Sequence, residues 1–288
     1  MESLITHLLN GLVYSMLLFI LSAGLSLIFG LMNVVNMAHG SFYMLGAYIG
    51  ITVVAWTGNF WLAALVAPLV AGVVGAGMER IFFRPLYKRP DFDQIILTFG
   101  FTFVFIDVVK WIWGVDIQNL ALPQSIGGGI QVFGAAFPLY RLVLIGVGLV
   151  LGLLVWLLLD RSRIGAMVRA SVDDRAMAVG LGINVGRLFT GVFSLGVALA
   201  AFAGVIAGPI MSIYPGMDID ILIPAFIVVV IGGMGSLRGA FVSSILIGEV
   251  DTLGKAYFPS SAMFLIYLLM VTVLLLRPNG LFGIRDAR

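Results

Sequence analysis

The chain has 288 residues, of which 61% are apolar and only 10% are charged, and its formal net charge is +2. Soluble domains carry about 25% charged residues, so this composition excludes a soluble enzyme, a nucleic-acid-binding protein and a disordered chain. It predicts an all-α, polytopic membrane protein with a single transmembrane domain over residues 1–288. Because there are no cysteines and only two histidines, disulfides, thiolate catalysis and a zinc site are not expected.

Apolar runs long enough to cross a bilayer follow one another along the chain. The uninterrupted runs are 5–30, 60–83, 95–113, 138–159, 188–213 and 261–276, and two further regions, 41–57 and 222–253, are shorter or broken. Together they predict a helix bundle of eight or nine membrane segments, some of them broken. The last region forms either a re-entrant hairpin or two crossings. The first basic residue is Arg80, so the N-terminal run lacks the basic start of a signal peptide and predicts a retained helix.

Basic residues cluster in three places that are separated by an even number of predicted crossings. They lie at 80–89, in the loop 160–187 and at 277–288, whereas the loop 114–137 contains no lysine or arginine. The positive-inside rule places such clusters in the cytoplasm. We therefore expect the N-terminus outside and the C-terminus in the cytoplasm.

Glycine accounts for 36 residues, and small residues recur at four-residue spacing. Gly46 and Gly50 form one such pair, and Gly196, Ala200 and Gly204 form a stripe. Helices in lipid associate through small residues that allow close backbone approach. The pattern predicts tight helix packing, and it favours helices that slide or rock over a purely structural anchor.

Two apolar segments are interrupted by polar residues and glycines in corresponding places of the two halves. Membranes tolerate broken helices only beside protein or a watery cavity, and paired interruptions indicate a transport pathway. The alternative is that both interruptions are ordinary loops at the cytoplasmic surface. The candidate pathway residues are Asn33, Asn36, His39, Gly40, Ser41, Gly232, Gly233, Gly235 and Ser236.

The loop 160–187 is the longest polar stretch of the chain. Residues 166–179 have the composition of one short helix, and Gly180 and Gly182 supply its stop. Such a helix on the cytoplasmic face, with alanines for close docking and charges for orientation, suits a protein partner. A solvated loop is the alternative.

Charges inside the spans have a simple explanation where they are paired. Asp107 and Lys110 lie three apart on one predicted helix and would neutralise each other. A phosphate-binding loop needs glycines followed by lysine and then serine or threonine, and the Gly254–Lys255 pair is followed by Ala256. If the protein uses ATP, another subunit must therefore bind it.

Four stretches together resemble one known family. They are VVNMAHGSFYMLGAY (34–48), RASVDDRAMAVGLGIN (169–184), VVVIGGMGSLRGA (228–240) and RPNGLFG (277–283). In this order they resemble the Liv-type branched-chain amino acid permeases of ABC importers, and the length is similar to that of the smaller of the two homologous permease subunits. The resemblance covers essentially the whole chain.

The resemblance implies a non-catalytic permease subunit in a bacterial inner membrane, with no cofactor of its own. Its implied partners are a second homologous permease, two cytoplasmic ABC ATPases that carry ATP and magnesium, an extracytoplasmic solute-binding protein and the lipid bilayer, and no nucleic acid. By motif position it also implies a coupling loop that docks on an ATPase. Its residues here are Arg169, Ala170, Asp173, Asp174, Ala176, Gly180 and Gly182.

Several alternatives stay open at this point. Similar permeases serve leucine, isoleucine and valine, but also urea, amides or aromatic acids, and pairing with a like or an unlike permease is undecided. A stand-alone secondary transporter or channel, coupling ions through Asp107, Lys110 or Glu249, is the competing function. An intramembrane enzyme is disfavoured because no metal or nucleophile constellation is present.

Overall fold

The computed structural model describes residues 2–32, 34–87, 89–132 and 135–283, and over these it is a bundle of membrane helices. This confirms the predicted all-α fold class. The described helices are α1 (Glu2–Met32), α2 (His39–Thr57), α3 (Phe60–Met78), α4 (Asp91–Trp113), α5 (Leu139–Trp156), α6 (Arg163–Asp173), α7 (Arg175–Gly180), α8 (Val185–Ala207), α9 (Met217–Gly232), α10 (Leu237–Tyr257) and α11 (Ala262–Leu276).

Seven helices, namely α1 to α5, α8 and α11, are long and apolar enough to cross a membrane. The broken region 222–253 lies within two helices, α9 and α10, of 16 and 21 residues, which are joined by a turn at 233–236. At 1.5 Å per residue these helices are about 24 and about 32 Å long. Seven spanning helices plus this pair make nine membrane segments among the described residues, within the predicted range.

Helix α1 forms the centre of the bundle. In its most apolar 18-residue window 83% of the residues are buried, against 11% in α11. It packs against α5, α8, α9 and α10. The predicted small-residue contacts are present: a side chain at Gly46 would collide with the backbone of Ala201, and Gly196 packs against the carbonyl of Gly24.

The arginine-rich segments meet at one end of the bundle. Arg84, after α3, donates to the carbonyl of Gly186 in α8, and Arg238 at the start of α10 pairs with Asp160 after α5. The turn at 277–283 packs against Gly233. We call this end, with the segments 79–87, 160–187, 233–238 and 277–283, the basic end. The predicted residues Lys88, Arg285 and Arg288 lie outside the described residues.

Two local features differ from the sequence prediction. A hairpin of β1 (Gly129–Val132) and β2 (Ala135–Pro138), antiparallel with Gly129 opposite Pro138, lies between α4 and α5. The single helix predicted over 166–179 is in fact two, because Asp174 adopts an extended conformation (φ −146°, ψ 98°) between them. Its carboxylate accepts a hydrogen bond of 2.9 Å from the Met177 amide and so caps α7.

Candidate functional site

Helix α2 begins deep inside the bundle. The Nε2–H of His39 donates to the Leu21 carbonyl of α1 at 3.0 Å, well before α1 ends at Met32. Near the C-terminal end of α2, Thr52 accepts a hydrogen bond of 2.8 Å from Trp113 of α4. Ser41 precedes Thr52 by 11 residues, which is about 16 Å of helix, and the 23 residues of α4 span about 34 Å. The first turn of α2 therefore lies about halfway through the bundle.

The connector 34–38 before α2 is non-helical and ends in a turn, its residues Val34, Asn36 and Ala38 are buried, and α4 satisfies part of its backbone. The Met37 amide donates to Thr98 Oγ1 at 3.1 Å. The Ala38 amide donates to Asn36 Oδ1 at 3.1 Å, and the His39 amide to the Asn36 carbonyl at 3.2 Å. These contacts explain how a broken helix is accommodated at this depth. The predicted pathway residue Asn33 lies outside the described residues.

Helix α9 begins against the first turn of α2. Ser41 Oγ donates to Asp218 Oδ2 at 2.7 Å, and Gly40 leaves room for the Asp218 carbonyl. Gly216 takes a left-handed conformation (φ 105°) at the N-terminus of α9. Two helix N-termini thus meet inside the bundle. We call these residues, 36–41 and 216–218, the α2–α9 junction.

The junction contains polar atoms without hydrogen-bond partners among the described residues. They are Asn36 Nδ2, His39 Nδ1 and Asp218 Oδ1, and all three side chains are buried. An unsatisfied buried polar group costs about 1–3 kcal/mol. Helix N-termini add positive partial charge without a full side-chain charge. The junction can therefore offer both donors and acceptors to a polar solute that has shed its water.

Asp218 and Thr98 were missed by the sequence analysis. The signal for Asp218 is the Tyr214–Pro215–Gly216 turn followed by acidic residues, which is a pattern typical of a helix start. This turn directly follows the predicted apolar run 188–213. Because that run continues past Ala207, the sequence did not indicate that α8 ends there. Ile213 instead pairs with Gln118 through two backbone hydrogen bonds of 2.8 and 2.9 Å. Thr98 carries no motif of its own.

The second predicted interruption, 232–239, lies elsewhere in the bundle. Gly235 (φ 80°) lies against Gly30 near the end of α1, and a Cβ added to Gly235 would come within 2.7 Å of the Gly30 Cα. Gly232 packs against Gly239, and Gly233 (φ 95°) against the 279–283 turn. Ser236 Oγ accepts a hydrogen bond of 3.0 Å from the Gly239 amide and caps α10. These contacts place the interruption at the basic end, whereas the junction partner of 36–41 is the start of α9.

A cavity of about 610 Å³ opens at the basic end between α1, α6 and the α9–α10 turn. Asp160 lies at its wall and pairs with Arg169 of α6 at 3.9 Å and with Arg238 of α10 at 3.6 Å. Asp173, Gly235 and Ser236 also line it. One carboxylate thus connects the predicted coupling loop to the second interruption.

The predicted coupling loop presents an apolar surface outward. Ala178 is buried with Val185 and Phe189, which anchors α7 to α8. Ala170, Asp173, Asp174, Ala176 and Gly180 are exposed, and Gly182 (φ 83°) ends α7. The exposed apolar side chains of this surface are Val172, Met177, Val179 and Leu181, with exposures of 44%, 61%, 57% and 72%. Exposed apolar side chains that lie close together in sequence among charged ones favour a protein contact.

A buried carboxylate holds the base of this loop in place. Glu79 at the end of α3 is fully buried and pairs with Arg84 at 3.0 Å. Thr190 of α8 and Tyr87 donate to the same carboxylate at 2.6 and 2.8 Å. Burial and the Glu79 contact raise the pKa of Tyr87 above its usual value, so its hydroxyl remains a donor. The network joins α3 to the start of α8.

The charges proposed for ion coupling do not converge on one site. Lys110 pairs with Asp107 at 3.5 Å, which confirms the predicted neutralisation, and both side chains are exposed. Glu249 of α10 lies against Gly11 of α1, and its Oε2 has no partner among the described residues. Neither position touches the α2–α9 junction in the described contacts.

Comparisons with known proteins agree on one family. The family described as "Branched-chain amino acid transport system / permease component" matches residues 7–274. The permease protein LivH of the high-affinity branched-chain amino acid transport system of Escherichia coli is 28% identical, over 95% of this chain and 94% of its own length. BraD of Pseudomonas aeruginosa is 29% identical over 96% and 95%. The larger permease LivM of Escherichia coli is 27% identical over 93% of this chain and 68% of its own length.

Proposed function

The chain belongs to the family of branched-chain amino acid transport system permease components, and we propose that it carries branched-chain amino acids into the cell. It is the non-catalytic membrane subunit of an ABC transport system. The proposal on cargo is supported by the relatives LivH and BraD, whose names specify branched-chain amino acids and which match over nearly their full length.

We propose that the coupling loop docks on a cytoplasmic ATPase, with a second homologous permease and an extracytoplasmic binding protein completing the assembly. The observation that carries this proposal is the exposed apolar surface of Met177, Val179 and Leu181, held on α7 by its buried anchor Ala178. On a cytoplasmic loop without a partner, such an exposed apolar surface would promote aggregation. The basic end then faces the cytoplasm, which is the orientation that its arginines favour.

The translocation route in this proposal passes the α2–α9 junction. Asn36, His39, Gly40 and Ser41 are grouped there around unpartnered polar atoms, as a zwitterionic solute crossing an apolar interior would require. Gly232, Gly233, Gly235 and Ser236 form a turn between the junction helix α9 and the cavity of the basic end. In our proposal, a movement of the coupling loop is transmitted to this turn by the ion pairs of Asp160 with Arg169 and Arg238. The movement of the turn then allows α9 to shift.

Reconstitution tests the proposed function. The complete assembly in proteoliposomes should take up radiolabelled leucine only with ATP and the binding protein, and the permeases without ATPases should be inert. Uptake by the permease alone, driven by an ion gradient, would instead support the stand-alone transporter. Normal ATPase binding and full uptake in an assembly that carries the Met177→Ser, Val179→Ser double variant would contradict the docking proposal.

A further inference from the structure

A second cavity, of about 450 Å³, forms a groove between α5 and α10 at the basic end. Its lining is apolar apart from Arg238, and it includes Phe19, Leu149, Gly152, Leu153, Trp156 and Phe241. Gly152 allows the Phe19 ring to pack directly against α5, because a Cβ there would come within 2.7 Å of the ring. The groove is thus a preformed feature of the surface of α5.

The wall of the groove faces outward from the bundle. Leu149 and Leu153 are 50% and 53% exposed, and only 17% of the most apolar window of α5 is buried. Helices of this kind present aliphatic side chains to lipid tails. An acyl chain matches such a surface in both shape and polarity.

The end of the groove nearest the basic end has the features of a headgroup site. The side chain of Arg238 is 71% exposed there. The guanidinium of Arg161 lies 5.4 Å from the ring centroid of Trp156. Tryptophan favours the membrane interface, and basic pockets between membrane helices bind anionic headgroups on the cytoplasmic side. Positive charge lies where a phosphate would end if its acyl chain filled the groove.

We propose that the α5–α10 groove binds an anionic phospholipid, with one acyl chain along Leu149 and Leu153 and the phosphate on Arg238. Its placement in the inner leaflet rests on the orientation in the proposed function, but the binding itself does not. Arg238 also pairs with Asp160 at 3.6 Å, and Asp160 pairs with Arg169 of the coupling loop. A phosphate bound to Arg238 would therefore compete with Asp160 for this guanidinium. Asp160 is the carboxylate that links the loop to the α9–α10 turn.

Native mass spectrometry of the purified full chain with added phosphatidylglycerol or phosphatidylcholine tests this site. We expect phosphatidylglycerol to bind the wild type at least tenfold more tightly than phosphatidylcholine. Arg238→Gln should weaken phosphatidylglycerol binding about tenfold, because a charge-assisted contact is lost. Arg89→Gln is the matched control and should leave it unchanged, since Arg89 is similarly exposed (66%) and also has a carboxylate partner at 3.6 Å.

Leu153→Trp supplies a second, independent test, because it fills the exposed groove without reaching the core. It should lower the binding of both lipids while Arg238 stays in place. Equal binding of the two lipids to the wild type, or unchanged phosphatidylglycerol binding in Leu153→Trp, would overturn the proposal. So would efficient crosslinking of a cysteine at 153 to a second permease in the assembly. None of these measurements involves ATP or cargo, so their failure is separate from failure of the proposed function.

Discussion

Ser41 donates a hydrogen bond of 2.7 Å to Asp218, which lies 177 positions later in the chain. The contact joins the first turn of α2 to the first turn of α9, and both turns lie inside the bundle. Asp218 is 1% exposed, and none of the ion pairs in the described part of the chain includes it. A buried carboxyl group without a cation raises the free energy of the folded protein, so we expect Asp218 to be retained for a role in transport.

Replacing the carboxyl group at this contact should slow transport. Asp218→Asn keeps the size of the side chain and can still accept from Ser41, so we expect normal assembly. We expect ATP-driven uptake at least tenfold slower, because the carboxyl group is lost as a hydrogen-bonding partner for the solute. Asp107→Asn is the control and should transport normally, since Asp107 is exposed and pairs with Lys110 at 3.5 Å. If Asp218→Asn takes up substrate at the wild-type rate, the α2–α9 junction is not part of the translocation route.

Loss of the cap on α7 should uncouple the ATPase. Asp174→Ala removes the 2.9 Å hydrogen bond to the Met177 amide, and a lost cap costs about 1 kcal/mol. We expect ATP hydrolysis that no longer rises with substrate-loaded binding protein. Asp174→Asn should restore stimulation, because asparagine caps equally well without charge. If the asparagine variant is as defective as the alanine variant, the role of Asp174 is its charge and not the cap.

Substitution of Gly235 should destabilise the protein. Its φ of 80° disfavours other residues, and a Cβ there would lie 2.7 Å from the Gly30 Cα, so Gly235→Ala should cost about 1–3 kcal/mol. Gly100→Ala is the matched control, because Gly100 lies within α4 with open space around it. Alanine there should be neutral or slightly stabilising. Thermal unfolding in detergent measures both, and equal melting temperatures for the two variants would disagree with the close approach of α1 and the α9–α10 turn.

Arg84 should stabilise the base of the coupling loop. Among the described residues, Arg84→Ala leaves the buried Glu79 carboxylate with only Thr190 and Tyr87 as donors. Because Arg84 is itself 41% exposed, we expect a loss of about 2 kcal/mol, less than for a fully buried pair. Arg89→Ala, which breaks an exposed pair with Asp93, should cost less than about 1 kcal/mol. If chemical denaturation shows a similar loss in the free energy of unfolding for both variants, the Glu79 network contributes little to stability.

Much of the fold was predictable because lipid imposes strong rules on sequence. Long apolar runs and small residues at four-residue spacing correctly predicted the helices and their close packing, and the resemblance of four sequence stretches correctly predicted the permease family. The split of the coupling helix was not predicted, since it depends on one backbone conformation at Asp174 that helical composition does not reveal.

The candidate site was predicted in part. The polar break at 33–41 was recognised because polar residues interrupt an apolar run, and in the structure its residues Asn36, His39 and Ser41 are buried. Its partner was assigned to 232–239, where glycines interrupt a similar run, but the break in the structure meets Asp218. The periodicity of one segment cannot show which distant helix start that segment contacts. The contact with Asp218 was therefore identified only from the structure. Whether 232–239 moves during transport stays a prediction.

State-dependent labelling of a cysteine at position 41 tests the central claim most directly. The chain has no native cysteine, so Ser41→Cys in the reconstituted assembly is the single reactive thiol in this subunit. If the α2–α9 junction lies on the route, a membrane-impermeant thiol reagent should react slowly at rest. The reaction should be at least tenfold faster during ATP hydrolysis with substrate-loaded binding protein. Labelling that is equally slow, or equally fast, in every nucleotide state would contradict the account.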